Sequence, residues 1–327
     1  MSQLRLLVQR VNSVQLLFLL LAVLLLCYSS IRAFLFPITH DEAYSWTAFA
    51  GLDFMDIVSY KNTNGIPNNH IFNTLMMKYS AALLGVSAFS LRIPVLIAHG
   101  IFLWCTAKIA LRIPSPIASF SLFCLINLNP YLLDFFSLAR GYGYSLTFLS
   151  LSVLSFLKWN QSTESKSYMP AMLYASLALL SNFTLLHYFF ALCAAILLVY
   201  LKSGDAFHWK KFIRFSVKGI SVVLLTAIIL YEPFRCIIKW KQTFGGQNGF
   251  WQDTVGGLIW ESFHEASYNF EVFPWALRIF QVLMLGMAFY VGILIVRKRF
   301  SAFEDEAVLL FMLCFLAALS SEMQHLL

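Results

Sequence analysis

The sequence predicts an all-α polytopic membrane protein of about nine transmembrane helices, with its chemistry gathered on one face of the bilayer. Three observations carry that expectation. Of the 327 residues, 60% are hydrophobic and 12% charged, and the mean hydropathy is +0.73, which leaves too little polar surface to coat a soluble globule. The basic residues fall in short clusters between apolar runs, so the formal net charge of +7 marks inward-facing loops and excludes a nucleic-acid-binding surface. Ionisable residues are almost missing from the centres of the apolar runs and gather in a few loops instead.

Taken in order, the first apolar run, 14–34, is too long for the core of a signal peptide and reads as an uncleaved first helix. A loop at 36–92 follows. It contains residues 39–46, THDEAYSW, which place His40, Asp41 and Glu42 directly behind a membrane helix and Pro37. Adjacent carboxylates are costly to desolvate there, so they point to chemistry more than to packing. Further helices are expected at 93–111, 117–131, 141–157, 169–183, 185–201, 212–231, 275–296 and 307–319, with a second large loop at 235–275. Prolines stand near most of these ends, and no repeat or low-complexity linker divides the chain, so residues 1–327 read as one transmembrane domain. The six cysteines are scattered without CxxC spacing and read as small core residues.

Orientation turns on 71–84, whose apolar residues recur with helical period while Asn73, Thr74 and Lys78 interrupt any spanning core. Laid along the interface, this segment leaves Arg5/Arg10, Lys108/Arg112, Lys158/Lys166, Lys202/Lys210/Lys211/Arg214 and Arg297/Lys298/Arg299 all cytoplasmic, as the positive-inside rule asks. The N-terminus is then cytoplasmic. The loops 36–92 and 235–275 and the turns near 134–140 and 181–187 face outward, and these hold nearly all the residues capable of chemistry.

The order of features resembles the GT-C glycosyltransferases: a basic N-terminus, one helix, DEAYSW in the first outer loop, PNNHIFNTLMMKYSAALLG, then SAFSLRIP and SLARGYGYSL. It is most similar to the branch of the protein O-mannosyltransferases and lipid A aminoarabinose transferases. The likeness covers roughly residues 10 to 160 by motif and the rest by hydropathy. Relatives continue through further helices beyond the point matched by Leu327, so the chain reads as a shortened member.

That resemblance implies transfer of a sugar from a polyprenyl-phosphate donor to a glycan, lipid or protein acceptor at the outer face of a bacterial inner membrane. It makes Asp41 the general base, with Glu42 orienting the acceptor, binding a cation or sharing the work. The leaving phosphate needs a fixed cation, for which Arg140 is the first choice and Arg92 and Lys61 the second. His40, Asn69, His70 and Tyr142 are expected to orient substrate, and His40 and His70 could join the acids around a divalent cation. Each role has a plainer alternative: helix capping for Asp41 and Glu42, a snorkelling anchor for Arg140, turn formation for Asn69 and a belt aromatic for Tyr142. For the whole chain the alternative is a non-catalytic membrane protein, either a lipid or polysaccharide transporter or a partner subunit.

Overall fold

The computed structural model describes residues 2–60, 69–161, 167–202 and 208–240, with single positions at 256, 278, 282, 286, 289 and 293. Every element formed there is helical, and no strand occurs among the described residues. In chain order the helices are α1 Ser2–Leu35, α2 His40–Ser45, α3 Phe54–Val58, α4 Ile71–Leu84, α5 Ala88–Ala110, α6 Pro116–Asn127, α7 Pro130–Phe135, α8 Gly141–Asn160, α9 Met169–Ser181, α10 Leu186–Lys202 and α11 Trp209–Lys239. A π-helical turn, Trp46–Ala50, follows α2. Of the expected helix 275–296 only positions 278, 282, 286, 289 and 293 are described, each helical, while the expected helix 307–319 and nearly all of the loop 235–275 lie outside the described residues.

Four helical stretches are long and apolar enough to cross a membrane: Gln15–Leu35, Ala88–Ala110, Phe183–Leu201 and Trp209–Lys239. Two shorter apolar helices, Pro116–Asn127 and Met169–Ser181, accompany them. Against the expectation of about nine spans, four helices among the described residues are long and apolar enough to be spans.

Boundaries moved where capping chemistry overrides hydropathy. Ser87 and Ser90 form a capping box that starts α5 at Ala88, five residues before the expected 93, and so draws Arg92 into the helix. Pro94 then lies inside α5, where it has no N–H to offer the carbonyl of Ser90. The hydroxyl of Ser80, on α4, donates to that carbonyl instead. The run expected at 117–131 divides because Asn129 caps a new helix, its Oδ1 accepting from the backbone of Tyr131 and Leu132 with Pro130 in the first turn.

The chain forms two compact units, residues 1–154 with 180–182, and residues 155–179 with 183–327. In the first, α1, α5 and α6 pack together around Phe18, Leu25, Leu103 and Phe123, with Phe18 and Phe123 stacked at 4.6 Å. The hydroxyl of Ser29 on α1 meets His99 Nδ1 on α5 at 2.7 Å, and the His99 ring stacks on Phe136 at 4.4 Å, so the buried polar pair is enclosed. α4 packs along α5. Its 14 residues make a rod of about 21 Å, short of the roughly 30 Å of a hydrocarbon core. In the second unit Tyr200 stacks on Phe215 at 3.8 Å, and Ser176 and Thr226 share a hydrogen bond of 2.7 Å between α9 and α11.

Candidate functional site

The site begins at a helix start. Thr39 is the N-cap of α2: its hydroxyl oxygen accepts from the backbone N–H of Glu42, and Glu42 Oε2 accepts from both the N–H and the hydroxyl of Thr39 at 2.9 Å each. Glu42 is 1% exposed. Its Oε1 accepts from Arg92 Nε at 2.7 Å and from the backbone N–H of Ala139 at 2.7 Å, and its Oε2 accepts from Arg92 Nη2 at 2.6 Å. Burial alone would raise the pKa of this carboxyl. The hydrogen bonds from Arg92, Thr39 and Ala139 outweigh it, and the group is held below the ordinary carboxylate value.

Arg92 is fully buried, and all five of its N–H groups are engaged. Beyond the two on Glu42, Nη1 donates to the carbonyls of Ala33 at 2.9 Å and Phe36 at 2.7 Å, and Nη2 to that of Pro37 at 2.9 Å. Ala33 belongs to the last turn of α1, so Arg92 acts as a cationic cap on that helix end. These facts correct two expectations. Arg92 has no donor left for a phosphate, and Glu42 has no room to orient an acceptor or bind a cation. Together they form the scaffold.

Asp41 has the opposite fate. One residue along a helix turns the side chain by about 100°, and Asp41 projects outward with its side chain 54% exposed. Its Oδ2 forms an ion pair with Arg140 Nη1, and its Oδ1 stands 3.7 Å from Nδ1 of the exposed His40. A base and a leaving-group cation that serve one reaction must flank the same sugar carbon, and here the two charges touch.

The contact follows from a clamp on the residue before Arg140. Glu42, next to Asp41, holds the N–H of Ala139, and Asn73 Nδ2 holds its carbonyl at 2.9 Å. Both sides of one residue are thus fixed, and positions 41 and 140 are set in register. Arg140 is 9% exposed and lies 5.5 Å over the ring of Tyr142, which itself stacks on Phe135 at 4.6 Å.

His70, the N-cap residue of α4, directs Nδ1 at the carbonyl of Ser181 at 3.0 Å and sets its ring edge-on to Tyr142 at 5.2 Å. Burial and the nearby Arg140 charge push its pKa down to about 4, against smaller opposing effects of the Ser181 bond and Asp41. Gly141 makes this packing possible. A Cβ there would come within 2.0 Å of the Ser181 carbonyl oxygen and 2.6 Å of His70 Nδ1.

Asn69 is scaffold as well. Its Nδ2 donates to the Ile57 carbonyl at 2.9 Å, its Oδ1 accepts from Thr74 at 2.9 Å, and its own carbonyl accepts from the Tyr60 hydroxyl, so it ties the loop to α4 and is not positioned to orient substrate. Lys61 lies outside the described residues. Among the described residues no group of three or more His, Cys, Asp or Glu gathers to hold a metal ion. Reading the sequence missed Asn73, Gly141, the Ser181 carbonyl and an ion pair of 3.0 Å between Arg32 and Asp134. The Thr39-x-x-Glu42 spacing was a legible capping signal; a lone Asn on an apolar helix was not.

Comparison with protein-family models, with curated proteins and with solved structures returns no match for this chain.

Proposed function

We propose that the chain is a GT-C-type glycosyltransferase of a bacterial inner membrane, with its N-terminus cytoplasmic, taking a sugar from a polyprenyl phosphate at the outer face. The observation that carries this reading is the half-exposed Asp41 carboxylate set against Arg140 by the Glu42–Ala139–Asn73 clamp. An acid and a fork-shaped cation at one point suit a reaction in which a hydroxyl loses a proton while a phosphate gains charge.

In that reaction the donor's tail stays in the bilayer and its phosphate meets Arg140, displacing Asp41 from the ion pair. Asp41 then accepts the proton of the acceptor hydroxyl, whose oxygen forms the new bond to the anomeric carbon. The bond between that carbon and the phosphate oxygen breaks, and its electron pair leaves on the lipid phosphate, where Arg140 stabilises the charge. Glu42 and Arg92 do no chemistry. They keep the reacting pair in place.

The test is Asp41→Asn in membranes supplied with radiolabelled lipid-linked sugar. Asn keeps the size but cannot take the proton, so transfer should fall by roughly 10²- to 10⁴-fold while binding of polyprenyl phosphate persists. Turnover like that of the unaltered protein would refute the assignment. Inactivity of the unaltered chain until a second gene product is added would favour the partner-subunit reading.

A further inference from the structure

The chemistry left over after the scaffold is subtracted centres on His70. Its Nδ1 faces a carbonyl oxygen, which can only accept, so Nδ1 carries the hydrogen and Nε2 presents a lone pair. Nε2 has no hydrogen bond among the described residues. Turning the ring about Cβ–Cγ would put Cδ2 where Nδ1 now donates and forfeit the Ser181 bond, and the backbone of Gly141 packs against the ring where even a methyl group would collide. His70 and Arg140 also flank the same phenol ring, that of Tyr142, at 5.2 Å and 5.5 Å. A cation and a lone pair therefore border one aromatic ring, near enough that the Arg140 charge acts on the imidazole. The lone pair repels phosphate oxygens, which leaves them to Arg140, and it attracts an O–H carried by whatever the phosphate is bonded to.

Resting on the donor reading above, we propose that Nε2 of His70 accepts a hydrogen bond from a hydroxyl of the donor sugar, so that His70 reads the sugar while Arg140 reads the phosphate. The low proton affinity of the ring keeps this acceptor in being through the neutral range. The arrangement discriminates between a loaded and an unloaded lipid carrier, which a cation alone cannot do.

The experiment uses the full chain in nanodiscs treated with diethyl pyrocarbonate at about pH 6, a reagent that attacks unprotonated imidazole nitrogen. Carbethoxylation of His70 is followed by peptide mass spectrometry, and lipid binding is measured separately. Undecaprenyl-phosphate-linked hexose should slow labelling of His70 by about ten-fold, the effect of one net hydrogen bond on occupancy of Nε2. Undecaprenyl phosphate alone should bind and leave the rate unchanged. In parallel, His70→Asn keeps an amide N–H for the Ser181 carbonyl but lacks Nε2; it should bind undecaprenyl phosphate normally and the hexose lipid about ten-fold more weakly. Equal protection by both lipids, or none from a hexose lipid that binds, overturns the role of His70 and leaves the donor reading standing. If neither lipid binds the unaltered chain, the donor reading falls and this role falls with it.

Discussion

Glu42→Gln tests the scaffold directly. The carboxylate receives five donors: two from Arg92, two from Thr39 and one from the Ala139 backbone. A glutamine amide has the same shape, yet it must turn its NH2 toward either the Oε1 or the Oε2 side, and Arg92 donates to both. Either way a donor faces a donor, and the Arg92 guanidinium, fully buried, loses its counter-charge. Removing one partner of a buried, hydrogen-bonded pair costs about 3–5 kcal/mol, a large share of the roughly 5–15 kcal/mol that holds a domain folded. The assay is unfolding in detergent, followed by the reactivity of the buried Cys105 thiol on α5. Asp41→Asn, at a half-exposed ion pair, should shift stability by less than about 1 kcal/mol in the same assay. If Glu42→Gln stays that close to the unaltered protein, the carboxylate is not the keystone described above.

Other expectations follow from the same geometry. Gly141→Ala should be destabilising by at least the 1–3 kcal/mol typical of overpacking, since its Cβ would lie 2.0 Å from the Ser181 carbonyl oxygen; a thermal melt checks it. His70 has a folded pKa near 4, below its unfolded value of 6.5, so its stabilising contribution is complete above pH 6.5 and is lost as pH falls toward 4. Stability of the unaltered protein should therefore decline over that window, by up to about 1.4 kcal/mol per pH unit from this residue, and His70→Asn should flatten the decline. Glu42, with a lowered pKa, adds a second loss only as pH falls below its unfolded value of 4.5. Cysteines placed at Ser203 and Ser301 should resist an impermeant thiol reagent in intact cells if α4 lies along the interface; labelling of either overturns the topology.

Hydropathy located the long apolar helices because a run of twenty apolar residues is hard to mistake. It misjudged their ends. The start of α5 carries two serines and an arginine, which read as loop until the serines are recognised as caps for one another. At the site, the resemblance separated the two carboxylates by role, Asp41 as base and Glu42 as its helper, but nothing in the sequence separated them by burial. Their division into one exposed and one buried group depends on helical rotation and on the Thr39 cap. Arg92 and Arg140 were likewise ranked by residue type. Arg92 lies between Leu91 and Ile93 within an apolar helix, so a buried structural charge was the physically apt reading, whereas Arg140 precedes a glycine at a helix start. Asn73 was beyond reach, since its partner is a backbone carbonyl 66 residues away.

The junction of Arg92 with Glu42 and the end of α1 also has a history within each molecule as it is made. Glu42 emerges 50 residues before Arg92, which at about 5–20 residues per second is an interval of seconds. Throughout it the carboxylate and the carbonyls of Ala33, Phe36 and Pro37 need water, so the end of the first helix is held at the membrane surface and cannot be drawn into the hydrocarbon. Arrival of α5 releases that water and closes the first helix pair around a charge. Biogenesis of the chain thus contains a waiting step whose length is set by the spacing between two residues, and lengthening the segment between Glu42 and Arg92 prolongs the interval in which the buried carboxylate has no cation.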